Sequence, residues 1–136
     1  MNKEDLFDGA WKLNSEKSRF STKHQPASAT MQWHRTAEGY QMTAEGAMSD
    51  GNIVEERPTT FIFDGEDHEV PDVPGFTAAM SRPIPNTIEV ESKKFGRLVG
   101  KASYVISEDG ATLTASVTSI DGQERKVQNV LVWDRL

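Results

Sequence analysis

Cysteine is absent from this 136-residue chain. That removes a disulfide framework, a thiolate zinc site and a cysteine nucleophile together, so stability has to come from packing. Long apolar runs are missing too: the chain opens MNKEDLFDG, and the longest late run is VLVW at 130–133. Neither has the length of a signal-peptide core or a bilayer span, so the expected location is cytoplasmic, with no membrane partner. Basic charge is scarce. Fifteen Lys and Arg stand against 21 Asp and Glu, a net charge of −6. The densest basic spot, Lys93, Lys94 and Arg97, follows directly on Glu89 and Glu91, so a phosphate backbone would be repelled and no nucleic-acid partner is expected. No Gly-x-Ser-x-Gly elbow, phosphate-cradling glycine loop or dinucleotide fingerprint occurs, and no cofactor is expected.

What the chain does have is regular punctuation. Glu38-Gly39, Asp50-Gly51, Asp64-Gly65, Pro85-Asn86, Phe95-Gly96, Asp109-Gly110 and Asp121-Gly122 read as tight turns, because glycine accepts positive φ and Asp or Asn can bond its own backbone. Between them, segments such as TIEVESKK at 87–94 alternate apolar with polar residues. That is the signature of a half-buried antiparallel strand. The expected strands are 8–13, 28–36, 40–47, 53–63, 67–70, 76–82, 87–94, 97–107, 112–119 and 124–134. The segment 14–27 has room for one short helical turn. Strands joined mainly by hairpins make an all-β, single-domain meander over 1–136, which avoids exposed edges best by closing into an antiparallel up-and-down barrel of about 8–10 strands. A sandwich is the alternative.

The stretch LFDGAWKLNSEKSRF carries a Gly-x-Trp element at Gly9, Ala10 and Trp11. It resembles the first strand of the lipocalin and fatty-acid-binding-protein (calycin) superfamily. The whole chain is similar to a family of small bacterial β-barrel proteins with no settled activity, through Gly9 to Asn14, Lys17 to Phe20 and the late hairpin Ser107 to Thr114. The resemblance implies a lipocalin-like barrel, with Trp11 plugging one end and a basic residue of the last strand, Arg135, lying across its ring. It also marks departures. Fatty-acid-binding proteins hold a carboxylate with Arg-x-Tyr near the end of the last strand, where this chain has Leu131 and Trp133. The segment 14–27 is too short for their two-helix lid.

Side chains two apart share a strand face. By that parity the interior collects Met31 and Trp33, Tyr40 and Met42, Phe61 and Phe63, Phe76 and Met80, Leu113 and Val117, Leu131 and Trp133. Aromatic and thioether walls suit a small apolar or aromatic ligand, and they suit equally a lumen that is simply filled. The expected ligand walls are Trp33, Tyr40, Met42, Phe61, Phe76, Met80, Tyr104 and Trp133. Arg35 and Arg82 are placed at the open rim to meet a polar group, with Arg57 as a further cation of that parity. The acidic run FDGEDHEVPD at 63–72 does not match a calcium loop, and no metal is expected.

Two functional classes remain. The first is a protein, monomer or homodimer, that binds a small apolar ligand in its lumen. The second is a small-molecule enzyme, an isomerase, cyclase or hydrolase, using the same lumen with one acid or base. Its catalytic candidates are His34 and His68, with Asp67 or Glu69 as nearby carboxylates. Heme carriage on either histidine is a third possibility.

Overall fold

The computed structural model describes residues 6–19, 26–37, 39–48, 53–70, 73–120 and 126–136, with side chains described except at 26–27, 48 and 53–58. It contains ten strands: β1 Gly9–Leu13, β2 Pro26–Arg35, β3 Gly39–Met48, β4 Ile53–Ile62, β5 Asp67–Glu69, β6 Phe76–Ile84, β7 Thr87–Lys94, β8 Arg97–Ile106, β9 Thr112–Ile120 and β10 Lys126–Arg135. Each expected strand is present, with ends shifted by no more than two residues. Within the segment 14–27 the described residues turn at 15–17, where the Ser18 N–H donates to the Asn14 carbonyl at 3.1 Å; residues 20–25 lie outside the described residues, among which no helix occurs.

All neighbours are antiparallel in one sheet ordered β4-β3-β2-β1-β10-β9-β8-β7-β6-β5. Chain order is thus kept, with β1 and β10 paired to join the two ends of the meander. The sheet curls into a half-barrel whose edges, β4 and β5, are not paired with each other; β4 instead approaches β6 across the seam. Curling gives each strand a concave and a convex face. The alternation in the sequence decides which residues take which, as Ile88, fully buried, and its exposed neighbour Glu89 show.

The turns form where glycine and Asp supply them. At the β8–β9 hairpin, Gly110 has φ 75°. There the Asp109 carboxylate accepts from the Ser107 hydroxyl at 2.6 Å and the Ala111 N–H at 3.0 Å. The stretch after β1 is tied down by its own polar side chains. Asn14 Nδ2 donates to Asp134 at 3.0 Å, its Oδ1 accepts from the Lys17 N–H at 3.1 Å, and the Ser18 hydroxyl accepts from the Val132 N–H at 2.8 Å. These bonds let the chain bulge outward at 15–17 and then return to the sheet, where Arg19 bridges Val130.

Candidate functional site

Hairpin connections alternate between the two ends of the half-barrel. One end carries the turns after β2, β4, β6 and β8 together with both chain termini, and it is sealed. Trp11 is fully buried there. Its indole N–H donates to the Phe7 carbonyl at 3.2 Å, and the Arg135 guanidinium stacks 4.2 Å from its ring centroid. Arg135 also donates to the Gly110, Asp8 and Leu6 carbonyls at 2.8, 3.0 and 2.5 Å. The N-terminal segment is thereby folded over the end of the barrel, and Phe7, also fully buried, drops between Trp33 and Tyr40 at 5.3 and 5.8 Å.

The aromatic cluster continues inward. Trp33 lies 4.8 Å from Phe61 and 5.7 Å from Tyr104, and Phe61 lies 5.9 Å from Tyr104, so strands on opposite sides of the lumen meet through their rings. Tilted and edge-to-face pairs of this kind stabilise beyond their buried area, and they leave no lumen at this level. Trp33 N–H also donates to the Met31 sulfur at 3.3 Å.

Toward the other end the inward residues shrink. Register partners there are Ala29 and Gly46, Met31 and Ala44, Val90 and Ala102, Ala102 and Val117, Ser92 and Gly100, Gly100 and Ser119. Small side chains on a curled sheet leave space. An open hollow of about 520 Å³ is bordered by Phe76, Ser92, Lys94, Gly100, Ala102, Val117 and Ser119 on the inward parity and by Val99, Lys101, Thr118 and Ile120 on the other. That size lies within the ~300–1,000 Å³ of small-molecule sites. Lys94 stands at its rim, where it pairs with Phe76 on one side and Arg97 on the other. A smaller hollow of about 440 Å³ lies on the convex face over Ala79, Ser81, Ser103 and Ser116, fringed by Glu89, Glu91 and Lys101.

No protein-family model matches the chain, and no curated protein matches its sequence. Solved structures do match in three dimensions. The zebrafish ileal bile acid-binding protein complexed with cholic acid superposes with TM-score 0.61 at 12% identity, over 96% of this chain and 99% of that one. The fold is that of the fatty-acid- and bile-acid-binding proteins. As-p18, an extracellular fatty acid binding protein, has the same calycin fold, with TM-score 0.57 at 14% identity over 97% of each chain. Within this fold, the positions aligned above with a carboxylate clamp hold half-buried Leu131 and buried Trp133, which pack with the aromatic cluster.

The expected wall residues separate by height. Trp33, Tyr40, Phe61 and Trp133 are buried in the packed cluster with Met42, and Tyr104 and Met80 pack against it, while Phe76 borders the hollow. The two arginines lie at the sealed end and not at the opposite one. Arg82 sits 5.5 Å from the Phe7 and Tyr40 ring centroids and 5.9 Å from that of Phe63. It donates to the Pro85 carbonyl at 2.6 and 2.9 Å and to the Tyr40 hydroxyl at 3.3 Å, bridging β6 to β3 across the seam. Arg35, exposed, lies 5.7 Å from the Tyr40 ring centroid. Parity gave these residues their face; it carries no information on which end of the strand is closed. The Arg57 side chain and all of His24 lie outside the described residues.

His34 is exposed on the face opposite Trp33. His68 is exposed on the edge strand β5, sharing the face of its partner Ala78, and its Nε2 lies 2.7 Å from Asp64. The carboxylate beside it is therefore Asp64 and neither Asp67, which binds Lys93 at 3.1 Å, nor Glu69. The Glu66 N–H and then His68 hold the Asp64 carboxyl below its ordinary value of 3.8. Sequence reasoning missed Ser92, Lys94, Gly100 and Ser119. Ser92, Gly100 and Ser119 share a signal, the run of small inward positions; Lys94 carries none.

Proposed function

We propose that the protein binds a small, mainly apolar molecule in the open-end hollow. Phe76, Ala102 and Val117 form its walls, the Trp33–Phe61–Tyr104 cluster its floor, and Lys94 stands beside any polar or anionic group. The observation that supports this reading is that the aromatic cluster reaches Tyr104 on β8, while a hollow begins two residues further along the same face, at Ala102 and Gly100. A ligand entering it gains contact area on three sides without displacing a packed ring. Binding of cholic acid and fatty acid by proteins of the same fold agrees with a lumen ligand of apolar character. The filled clamp position argues for a compact molecule held near the mouth rather than deep inside.

Titration with an environment-sensitive apolar dye tests it. Ala102→Phe should fill the hollow and abolish binding while the circular dichroism spectrum and cooperative unfolding persist. Equal affinity in both proteins would place the function elsewhere. The enzymatic reading keeps one point in its favour, the His68–Asp64 pair on an inward-facing edge position. It predicts turnover of a small-molecule substrate that His68→Ala removes while dye affinity is kept.

A further inference from the structure

The stretch 6–8 crosses the sealed end without joining the sheet. All three of its carbonyls accept from side chains, Leu6 and Asp8 from Arg135 and Phe7 from the Trp11 indole N–H. Two side chains thus latch a segment that a strand would hold with a ladder of backbone bonds. The segment meets β1 at Gly9, whose φ is 130°. Glycine alone adopts that value readily, so the chain turns there on a joint with no side chain to restrict it.

Phe7 is the one fully buried side chain of this strap, and Leu6 and Asp8 on either side of it are half-buried. Its ring fills a slot made by other elements. Trp33 lies tilted against it at 5.3 Å, Tyr40 meets it edge-on at 5.8 Å, and the Arg82 guanidinium stands 5.5 Å from its centroid. Two rings and a cation in that arrangement suit any benzenoid ring, whether or not it is tethered to the chain. The slot is separate from the open-end hollow, because Trp33, Phe61 and Tyr104 pack together between them.

We propose that the strap is a displaceable plug, which swings about Gly9, lifts Phe7 out and frees a second site for a small aromatic molecule between Trp33 and Tyr40, under Arg82. The contacts that hold Phe7 are the ones the ligand ring takes over. No strand pairing is lost in the swing, since β1 begins its pairings with β2 at Gly9 and with β10 at Trp11. Phe7 acts as an internal competitor: the affinity of such a site is lowered by the fraction of chains in which the strap is open.

Hydrogen exchange of the Trp11 indole N–H, followed by NMR, reads the opening in the wild type. Its protection should be lower than that of backbone amides in the middle of β9, such as Ala115, and insensitive to low denaturant, as local opening is. Gly9→Ala should lower it further, because alanine disfavours the closed backbone. Ligand binding is read with p-cresol by calorimetry, in the Ala102→Phe background so that the open-end hollow does not contribute. Adding Phe7→Ala removes the competitor and should tighten p-cresol binding about 10- to 1,000-fold, for an open state populated at about 0.1–10%. That ratio should match the opening constant from exchange. Protection of the Trp11 indole equal to that of the β9 amides, with the same denaturant dependence, overturns the proposal, because the strap would then leave only when the barrel unfolds. So does p-cresol affinity that is the same with and without Phe7, which would put the compound elsewhere. A folded Phe7→Ala chain that binds no p-cresol overturns it too.

Discussion

Arg135 does with one guanidinium what a cap and a brace would do separately. Its planar face covers Trp11 at 4.2 Å while its edge donates to three carbonyls from two different segments. A lysine carries the same charge but neither the flat face nor the fork. Arg135→Lys is therefore expected to destabilise by about 1–2 kcal/mol, within the range of a partly dry cation–π contact and its lost hydrogen bonds. Trp11→Ala should cost about 3–5 kcal/mol, since it empties a fully buried site. Denaturant melts of the two variants check both, and a milder effect of Trp11→Ala than of Arg135→Lys would overturn the assignment of Trp11 as the plug. This pair was legible only through the resemblance, in which the Gly-x-Trp element at Gly9 to Trp11 implies a plug and a basic residue of the last strand its cover. Arg82 was not. Its parity is apparent from Met80, yet its burial among Phe7, Tyr40 and Phe63 depends on where the N-terminal segment folds back, and strand alternation is silent on that.

Strands and turns were legible because each is specified locally. Ile88 and Val90 alternate with Glu89 and Glu91, and a one-residue slip would put both glutamates in the core. The turns carry chemistry of their own that can be titrated. The Ser107 hydroxyl and then the Ala111 N–H hold the Asp109 carboxyl below its ordinary 3.8, as the Glu66 N–H and then His68 do for Asp64. A carboxyl lowered on folding stabilises above its unfolded value, and that contribution disappears as pH falls through the folded one. Both groups are exposed, so the effect is small. Thermal midpoints taken from pH about 5 to about 2 should fall less steeply for Asp109→Asn, whose amide oxygen can still accept from Ser107 and Ala111 but does not titrate there. An identical slope would remove Asp109 from the acid limb. At the β2–β3 hairpin the constraint is steric instead. A Cβ on Gly39 would run into the Phe61 carbonyl of β4, so Gly39→Ala should destabilise by about 1–3 kcal/mol through forced strand separation, although alanine ordinarily stabilises relative to glycine. Urea midpoints decide the sign.

At the scale of the whole barrel, apolar mass and empty volume fall at different heights. Large inward residues suggest a ligand surface by their apolar area alone. In a curled sheet, however, large side chains from opposite strands reach each other and pack, as Trp33, Phe61 and Tyr104 do. Empty volume is left where inward residues are small, along Ala102, Gly100, Ser92 and Ser119. A hollow next to a rigid floor exists before its ligand arrives, so binding should need little rearrangement and should appear as stabilisation of the folded state alone. At a free ligand concentration about 100 times Kd, linkage adds about 2.7 kcal/mol. For a domain of this size that corresponds to a rise in Tm of about 8–15 °C. Screening apolar and amphiphilic compounds by thermal shift should therefore find such rises in the wild type, and Ala102→Phe should abolish them while retaining its own sharp transition. Lys94→Ala separates the two parts of the site: it should reduce the shift for compounds with an anionic end and leave neutral ones unchanged, because the hollow's apolar walls stay intact. Shifts that survive Ala102→Phe would mean that the compounds bind outside the lumen, with the convex-face hollow over Ser103 and Ser116 as the place to look next.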